Sequence, residues 1–250
     1  MSSDVTHAEL AFTDDAVLGG RVVVRQSVQG YRAAVDPVLL AAAVKAKGGQ
    51  HILDAGCGSG AAMFCLAARV SGLDLTGIES QPDIAAYARA GLELNALCGI
   101  ARIIDGDIGA PPAELKNAFD VVLTNPPYSE AGSPPPNASR ATAHMEGAVD
   151  LAAWITACLA CLKQKGRFVI VHRAGRLSEI LAALNGKAGD VRIYPILSKA
   201  GEPAQRVIVD AGKDRRSPDT LFPGLILHED GGRYTAEAEQ VLRGARPLPI

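Results

Sequence analysis

Aromatic residues make up only 4% of the 250 positions, with a single Trp, so Ala, Val, Leu and Ile must fill the core. Long hydrophobic runs are missing too. No stretch reaches 18 apolar residues without a charge, which excludes a transmembrane helix and a membrane partner. Residues 1–15 carry Asp4, Glu9, Asp14 and Asp15 and have neither a basic n-region nor an apolar h-region, so they do not read as a signal peptide. Charge of one sign is also short. The 25 Lys and Arg against 27 Asp and Glu leave a net −2, which supplies no global cationic field for nucleic acid. The five cysteines (57, 65, 98, 158 and 161) are odd in number, lie in apolar segments and point to a reducing, cytoplasmic compartment. Cys158 and Cys161 form a C-x-x-C without a second Cys or His pair nearby. They read as two small core-facing residues, and no metal is expected.

What the chain does have is rhythm. HILDAG (51–56), LDLTGIE (73–79), ARIID (101–105), FDVVLTN (119–125), GRFVIVH (166–172), VRIYPI (191–196) and QRVIVDA (205–211) are short, rich in β-branched residues and bounded by turn formers. Between them, residues 61–70, 82–97, 148–165 and 176–186 carry apolar spacing near 3.6 and predict helices. Alternating βαβα with continuously apolar strands predicts an α/β fold: a mostly parallel seven-stranded sheet with helices on both faces. This core spans 49–216 of a single domain, 1–250. Residues 1–48 add a hairpin and a helix starting near Asp36-Pro37, and 217–250 add a small strand and helix. A Pro/Ser/Gly loop, SEAGSPPPNAS (129–139), interrupts the rhythm directly after a strand.

The loop Asp54-Ala55-Gly56-Cys57-Gly58-Ser59-Gly60 follows the first core strand and opens a helix. Glycines there allow a tight turn and let backbone N–H groups approach a ligand. The dinucleotide fingerprint fits loosely, because position 61 is Ala. DAGCGSG more closely resembles the first motif of S-adenosylmethionine-dependent methyltransferases. Asp54 favours that class, since an anion would repel a pyrophosphate but suits the positive end of S-adenosylmethionine. Glu79, ending the second strand, is placed to accept from ribose hydroxyls in either class. Asp107 occupies the place where methyltransferases bond the adenine amino group, and Asp105 competes for that role two residues away.

Asn125-Pro126-Pro127-Tyr128 closes the fourth strand. Pro-Pro is a strand stop on its own account. The four residues also resemble the NPPY motif of methyltransferases that modify amino groups of adenine, guanine or glutamine amide. Such a nitrogen is planar and a poor nucleophile. The Asn125 side-chain oxygen and the Pro126 carbonyl can accept its two N–H bonds and favour a developing tetrahedral nitrogen. Tyr128 would stack on the planar target.

QGYRAAVDPVLLAAA (29–43), DAGCGSG, GIES (77–80), DGDI, NPPY, GRFVIVHRAGRLSEIL (166–181) and GRYTAEAEQVL (232–242) together resemble the bacterial tRNA1(Val) adenine-N(6) methyltransferase family. That resemblance implies a Rossmann-like fold, S-adenosylmethionine as cofactor and tRNA as partner. It implies that Arg32 and Asp36 help close the cofactor pocket, with Asp54, Gly56, Gly58, Gly60, Glu79, Asp107 and Asn125 around the cofactor. It places Arg140 and His144 in the substrate loop beside Pro127 and Tyr128. Residues 163–216 hold twelve Lys and Arg against five Asp and Glu, and Lys163, Lys165 and Arg167 are expected to contribute to an RNA-backbone footprint. NPPY does not separate adenine from a glutamine amide or an rRNA guanine. A protein-glutamine methyltransferase, an rRNA guanine methyltransferase and a non-catalytic cofactor- or RNA-binding module stay open.

Overall fold

Alternate residues of the central strands pack into two separate cores, one on each face of the sheet. Ile52, Leu75, Val121, Leu123, Val169 and Val171 join Leu39, Leu40, Met63 and Phe64 on one face. Leu53, Ile78, Val122, Phe168 and Ile170 join Trp154, Ile155, Leu159 and Ile180 on the other. Both sets of side chains are shielded from water, so both faces must be covered by helices, and the strands read as near-continuous apolar runs.

The computed structural model describes residues 11–28, 35–127 and 150–250. Chain order is β1 (Phe12–Val17), β2 (Val22–Ser27), α1 (Val35–Ala43), β3 (His51–Ala55), α2 (Ala61–Arg69), β4 (Asp74–Glu79), α3 (Pro82–Leu94), β5 (Ala101–Asp105) and β6 (Phe119–Thr124). There follow α4 (Leu151–Cys161), β7 (Leu162–Arg173), α5 (Leu177–Leu184), β8 (Ala188–Leu197), β9 (Ala204–Lys213), β10 (Thr220–Leu221), β11 (Leu225–Ile226) and α6 (Ala236–Leu242). The main sheet runs β5-β4-β3-β6-β7-β9-β8, with β9 antiparallel to both neighbours and the other pairs parallel. Strand order reverses between β3 and β6, and the crevice above such a switch point is where open α/β sheets bind ligands.

The expected seven strands are all present, but the sheet has nine. The two-residue strands β10 and β11 add to the outer edge of β8, where Leu225 is fully buried. Several ends also differ from expectation. The helix expected over 148–165 stops at Cys161, because Leu162 is already extended and pairs with Phe119. Lys163 and Lys165 look like favourable last-turn cations of a helix but belong to the strand. Helix α3 ends at Leu94 because Asn95 leaves it. The Asn95 amide accepts from the Val23 N–H at 2.9 Å and donates to the Val23 carbonyl at 2.7 Å, fastening the β1–β2 hairpin to the core. Helix α1 is under way at Val35, with Asp36 inside its first turn.

Cys158 and Cys161 are buried on α4, and every described cysteine is a free thiol. Among the described residues no helix is long and apolar enough to cross a membrane.

Candidate active site

Three glycines after β3 take left-handed backbone angles, with φ of 67° at Gly56, 56° at Gly58 and 86° at Gly60. Packing separates their roles. A Cβ on Gly56 would lie 2.7 Å from the Trp154 ring, and one on Gly60 would strike the Phe64 ring, whereas one on Gly58 would meet nothing within 4 Å. Gly56 and Gly60 thus let the loop settle onto aromatic rings. Gly58 is the glycine with open space beside it.

Glu79 ends the neighbouring strand and organises this loop. Its Oε2 accepts from the Gly58 N–H at 3.0 Å, and its Oε1 accepts from the Gln81 N–H at 2.9 Å. A carboxylate oxygen accepts more than one hydrogen bond, so capacity remains for hydroxyl donors. Asp54 lies just below. Its Oδ2 accepts from the Met63 N–H at 3.1 Å, and burial, aided by the charge of Glu79, pushes its pKa up to about 7. Two nearly buried carboxylates beside an open glycine form an acceptor set suited to a cationic nucleoside, whose charge would favour the ionised form of Asp54.

At the end of β5, Asp105 pairs with Arg89 on α3. Asp107 is exposed and its Oδ1 accepts from the Gly109 N–H at 2.7 Å, forming the turn at the sheet edge. The two competing acids therefore have different settings.

Asn125 follows β6 directly. Thr124 is the register partner of Ala55, so Asn125 and Gly56 each leave the sheet directly after a paired residue on neighbouring strands. Asn125 is half-buried, Pro126 buried and Pro127 exposed. Thr124 is fully buried, donates its hydroxyl to the Ala55 carbonyl at 2.7 Å and accepts from the Trp154 indole N–H at 3.0 Å. The glycine loop and the Asn-Pro-Pro segment thus emerge side by side at the switch point.

A family model described as methyltransferase small domain matches residues 32–194, a span that takes in both of these segments. The chain belongs to that family. The tRNA1(Val) (adenine(37)-N6)-methyltransferase of Actinobacillus succinogenes is 28% identical over 215 residues, covering 85% of this chain and 89% of the relative. The Yersinia pestis enzyme of the same name is 26% identical, covering 84% of this chain and 85% of its own. Among solved structures, a predicted O-methyltransferase from Agrobacterium tumefaciens superposes with a TM-score of 0.71 at 26% identity, covering 85% of this chain and 97% of that one. The protein is an S-adenosylmethionine-dependent methyltransferase with a Rossmann-like fold.

In this methyltransferase Asp36 is buried on the same sheet edge as Asn125, and its Oδ2 accepts from Arg206 Nε at 3.0 Å. Arg32, Tyr128, Arg140 and His144 lie outside the described residues. Lys163, Lys165 and Arg167 do not join the acceptor segment. Arg167 is the register partner of Val121, four residues before Asn125, so all three sit toward the opposite edge of the sheet. Lys163 is paired with Asp120 at 2.9 Å, and Arg167 bridges Asp210 and Asp190, each at 2.7 Å. Any RNA-backbone contact made by these residues would therefore lie at the far edge of the sheet from the acceptor segment. β7 runs parallel to β6, which puts its early residues at the opposite end from Asn125.

Sequence reasoning passed over Thr124, Trp154 and His172. The first two had a faint signal: the chain's one Trp, and a Thr directly before Asn-Pro-Pro. His172 is buried near the end of β7, its Nδ1 accepting from the Arg173 N–H at 2.9 Å, and burial lowers its pKa to about 4.

Proposed function

We propose that this methyltransferase modifies the exocyclic amino nitrogen of adenine in tRNA. The reading rests on one observation above all. The Asn125-Pro126-Pro127 segment, whose carbonyl and amide acceptors suit a planar NH₂, emerges beside the glycine loop on the adjacent strand. The Asn125 side-chain oxygen and the Pro126 carbonyl accept the two N–H bonds of the target. Both acceptors gain strength as the nitrogen becomes tetrahedral and positive, which is the change the reaction requires. The two prolines hold the segment extended, so the Pro126 carbonyl keeps its direction.

S-adenosylmethionine supplies the methyl group when bound. Around it, Glu79 would take the ribose hydroxyls, Asp107 the adenine amino group, and Asp54 would lie near the positive amino acid end. Gly56, Gly58 and Gly60 shape the loop that admits it, and Arg32 and Asp36 would close the pocket. Tyr128 would stack on the target base, with Arg140 and His144 on the substrate side. Alignment of nitrogen, methyl carbon and sulfur supplies most of the rate, and no base is needed before transfer. The tRNA and adenine parts of the reading draw support from the names of the two relatives, and a cytoplasmic site of action goes with that substrate.

Incubation with labelled S-adenosylmethionine and either total tRNA or total protein tests the proposal. The label should appear as N6-methyladenosine in the tRNA arm. Label in protein alone, as methylglutamine, or on guanine would replace the adenine reading.

A further inference from the structure

Of the seven described non-glycine residues with left-handed backbone, four lie where β6, β7 and β8 begin and β9 ends: Asn117, Lys165, Asp190 and Asp214. Such residues persist only where their surroundings hold them, and they concentrate at sites that do something. This edge lies away from the acceptor segment. From Val121, the partner of Arg167, to Asn125 is about 13 Å at the strand rise.

Asp190 sits where the β8–β9 register breaks between Gly189 and Arg192. Its carboxylate meets three guanidinium groups: Arg167 at 2.7 Å, Arg192 at 3.3 Å and Arg215 at 3.5 Å. Asp210 from β9, almost wholly buried, meets Arg167 at 2.7 Å and Arg192 at 3.8 Å. Asp214 turns the chain back after β9, its N–H donating to the Lys187 carbonyl at 3.1 Å. Gly189 and Gly212 are partners across β8 and β9, and a Cβ on either would strike Arg215, at its backbone or its side chain respectively. Two strand glycines therefore form a cradle that seats Arg215 over the sheet.

Arg167, Arg192, Arg215, Asp210 and Lys45 line a cleft of about 160 Å³. Counting Asp190, four cations face two carboxylates, which leaves a surplus of two positive charges. A network serving stability alone needs no such excess.

We propose that this cleft binds a phosphate group. Guanidinium forks match phosphate oxygens in pairs, and an ammonium adds a compact charge. Arg167 is the anchor, with 15% of its side chain exposed, while Arg192 at 29% and Arg215 at 41% present nitrogens to solvent. A backbone phosphate of RNA and a free phosphate ester offer the same chemistry to these residues.

The test titrates inorganic phosphate into the full chain by calorimetry and follows the unfolding midpoint, with chloride at matched ionic strength as reference. Lys45→Ala, Arg215→Ala and the pair are compared with the parent, while Arg167 is left in place to protect buried Asp210. Phosphate should raise the parent's midpoint beyond chloride, and its Kd should weaken about tenfold or more in the double variant. Arg215→Lys should recover part of the loss, and S-adenosylhomocysteine titration reports that the variants keep their fold. Phosphate acting no differently from chloride, or equally on parent and double variant, would overturn the proposal. A second arm measures tRNA-transcript binding by anisotropy across salt concentrations. A slope shallower by about one to two in the double variant assigns the site to the RNA backbone. An unchanged slope with phosphate binding lost assigns it to a free ester, and either result upholds the cleft. The phosphate titration itself contains no RNA and no methyl donor, so its outcome is independent of the adenine reading.

Discussion

The Trp154 indole N–H donates to the Thr124 hydroxyl at 3.0 Å, and the same hydroxyl donates to the Ala55 carbonyl at 2.7 Å. One buried chain of hydrogen bonds therefore ties the residue before the glycine loop to the residue before Asn125 and to helix α4. Trp154→Phe removes both the N–H donor and the Cζ2–Cη2 edge that lies against Gly56. It should cost roughly 2–4 kcal/mol in urea denaturation followed by circular dichroism, since no other Trp remains to report. Gly56→Ala forces a methyl against that ring at a left-handed φ and should cost roughly 2–3 kcal/mol and impair S-adenosylhomocysteine binding.

The acceptor role of Asn125 has a sharper readout. Asn125→Ala should lower methyl transfer by about 100-fold or more, as loss of one preorganised transition-state contact does. The Kd for S-adenosylhomocysteine should stay within a few-fold, measured by calorimetry. An unaltered rate would remove Asn125 from the reaction.

Asp54 predicts a pH dependence on the alkaline side. Its pKa is pushed up to about 7 from 3.8, so the folded state holds the proton more tightly than the unfolded chain. The stabilisation is complete below about pH 4 and is lost as pH rises through 7. Asp54→Asn keeps an acceptor for Met63 but does not titrate. Relative to the parent it should gain on the order of 2–4 kcal/mol between pH 4 and 8 in denaturation series.

His172 predicts the opposite limb. Its pKa is lowered from 6.5 to about 4, chiefly by burial, so the neutral ring is the folded form. Its contribution is complete above pH 6.5 and is lost as pH falls toward 4. His172→Asn should flatten this loss by about 2–3 kcal/mol, read from unfolding midpoints between pH 7 and 4.

The sheet was legible because its strands are buried on both faces. ARIID is β5 to the residue, and FDVVLTN overruns β6 by only its final Asn. Helix ends were less so, since they depend on distant partners: Val23 for Asn95, Phe119 for Leu162. The candidate site was readable in the same measure as the strands that carry it. Asn125 and the glycine loop sit at consecutive positions of the sheet because β3 and β6 are neighbours, a pairing implied once the order reverses between them. The fate of Arg167 was not readable. Its partners Asp190 and Asp210 come from other strands, 23 and 43 residues away, and a basic stretch in sequence carries no sign of which charges the fold will neutralise. The Asp36–Arg206 pair, 170 residues apart, was hidden for the same reason.

Helix α4 passes into β7 with no intervening residue, Cys161 closing one and Leu162 opening the other. A connection of that kind has no slack. One inserted residue there would either slip β7 against β6 and β9, exchanging the two cores' side chains along its whole length, or rotate α4 by about a quarter turn and swing Trp154 off Gly56. The joint is therefore a point at which the chain tolerates substitution but not a change of length, and insertions or deletions made one residue at a time across 155–170 should map it as a sharp minimum in soluble yield.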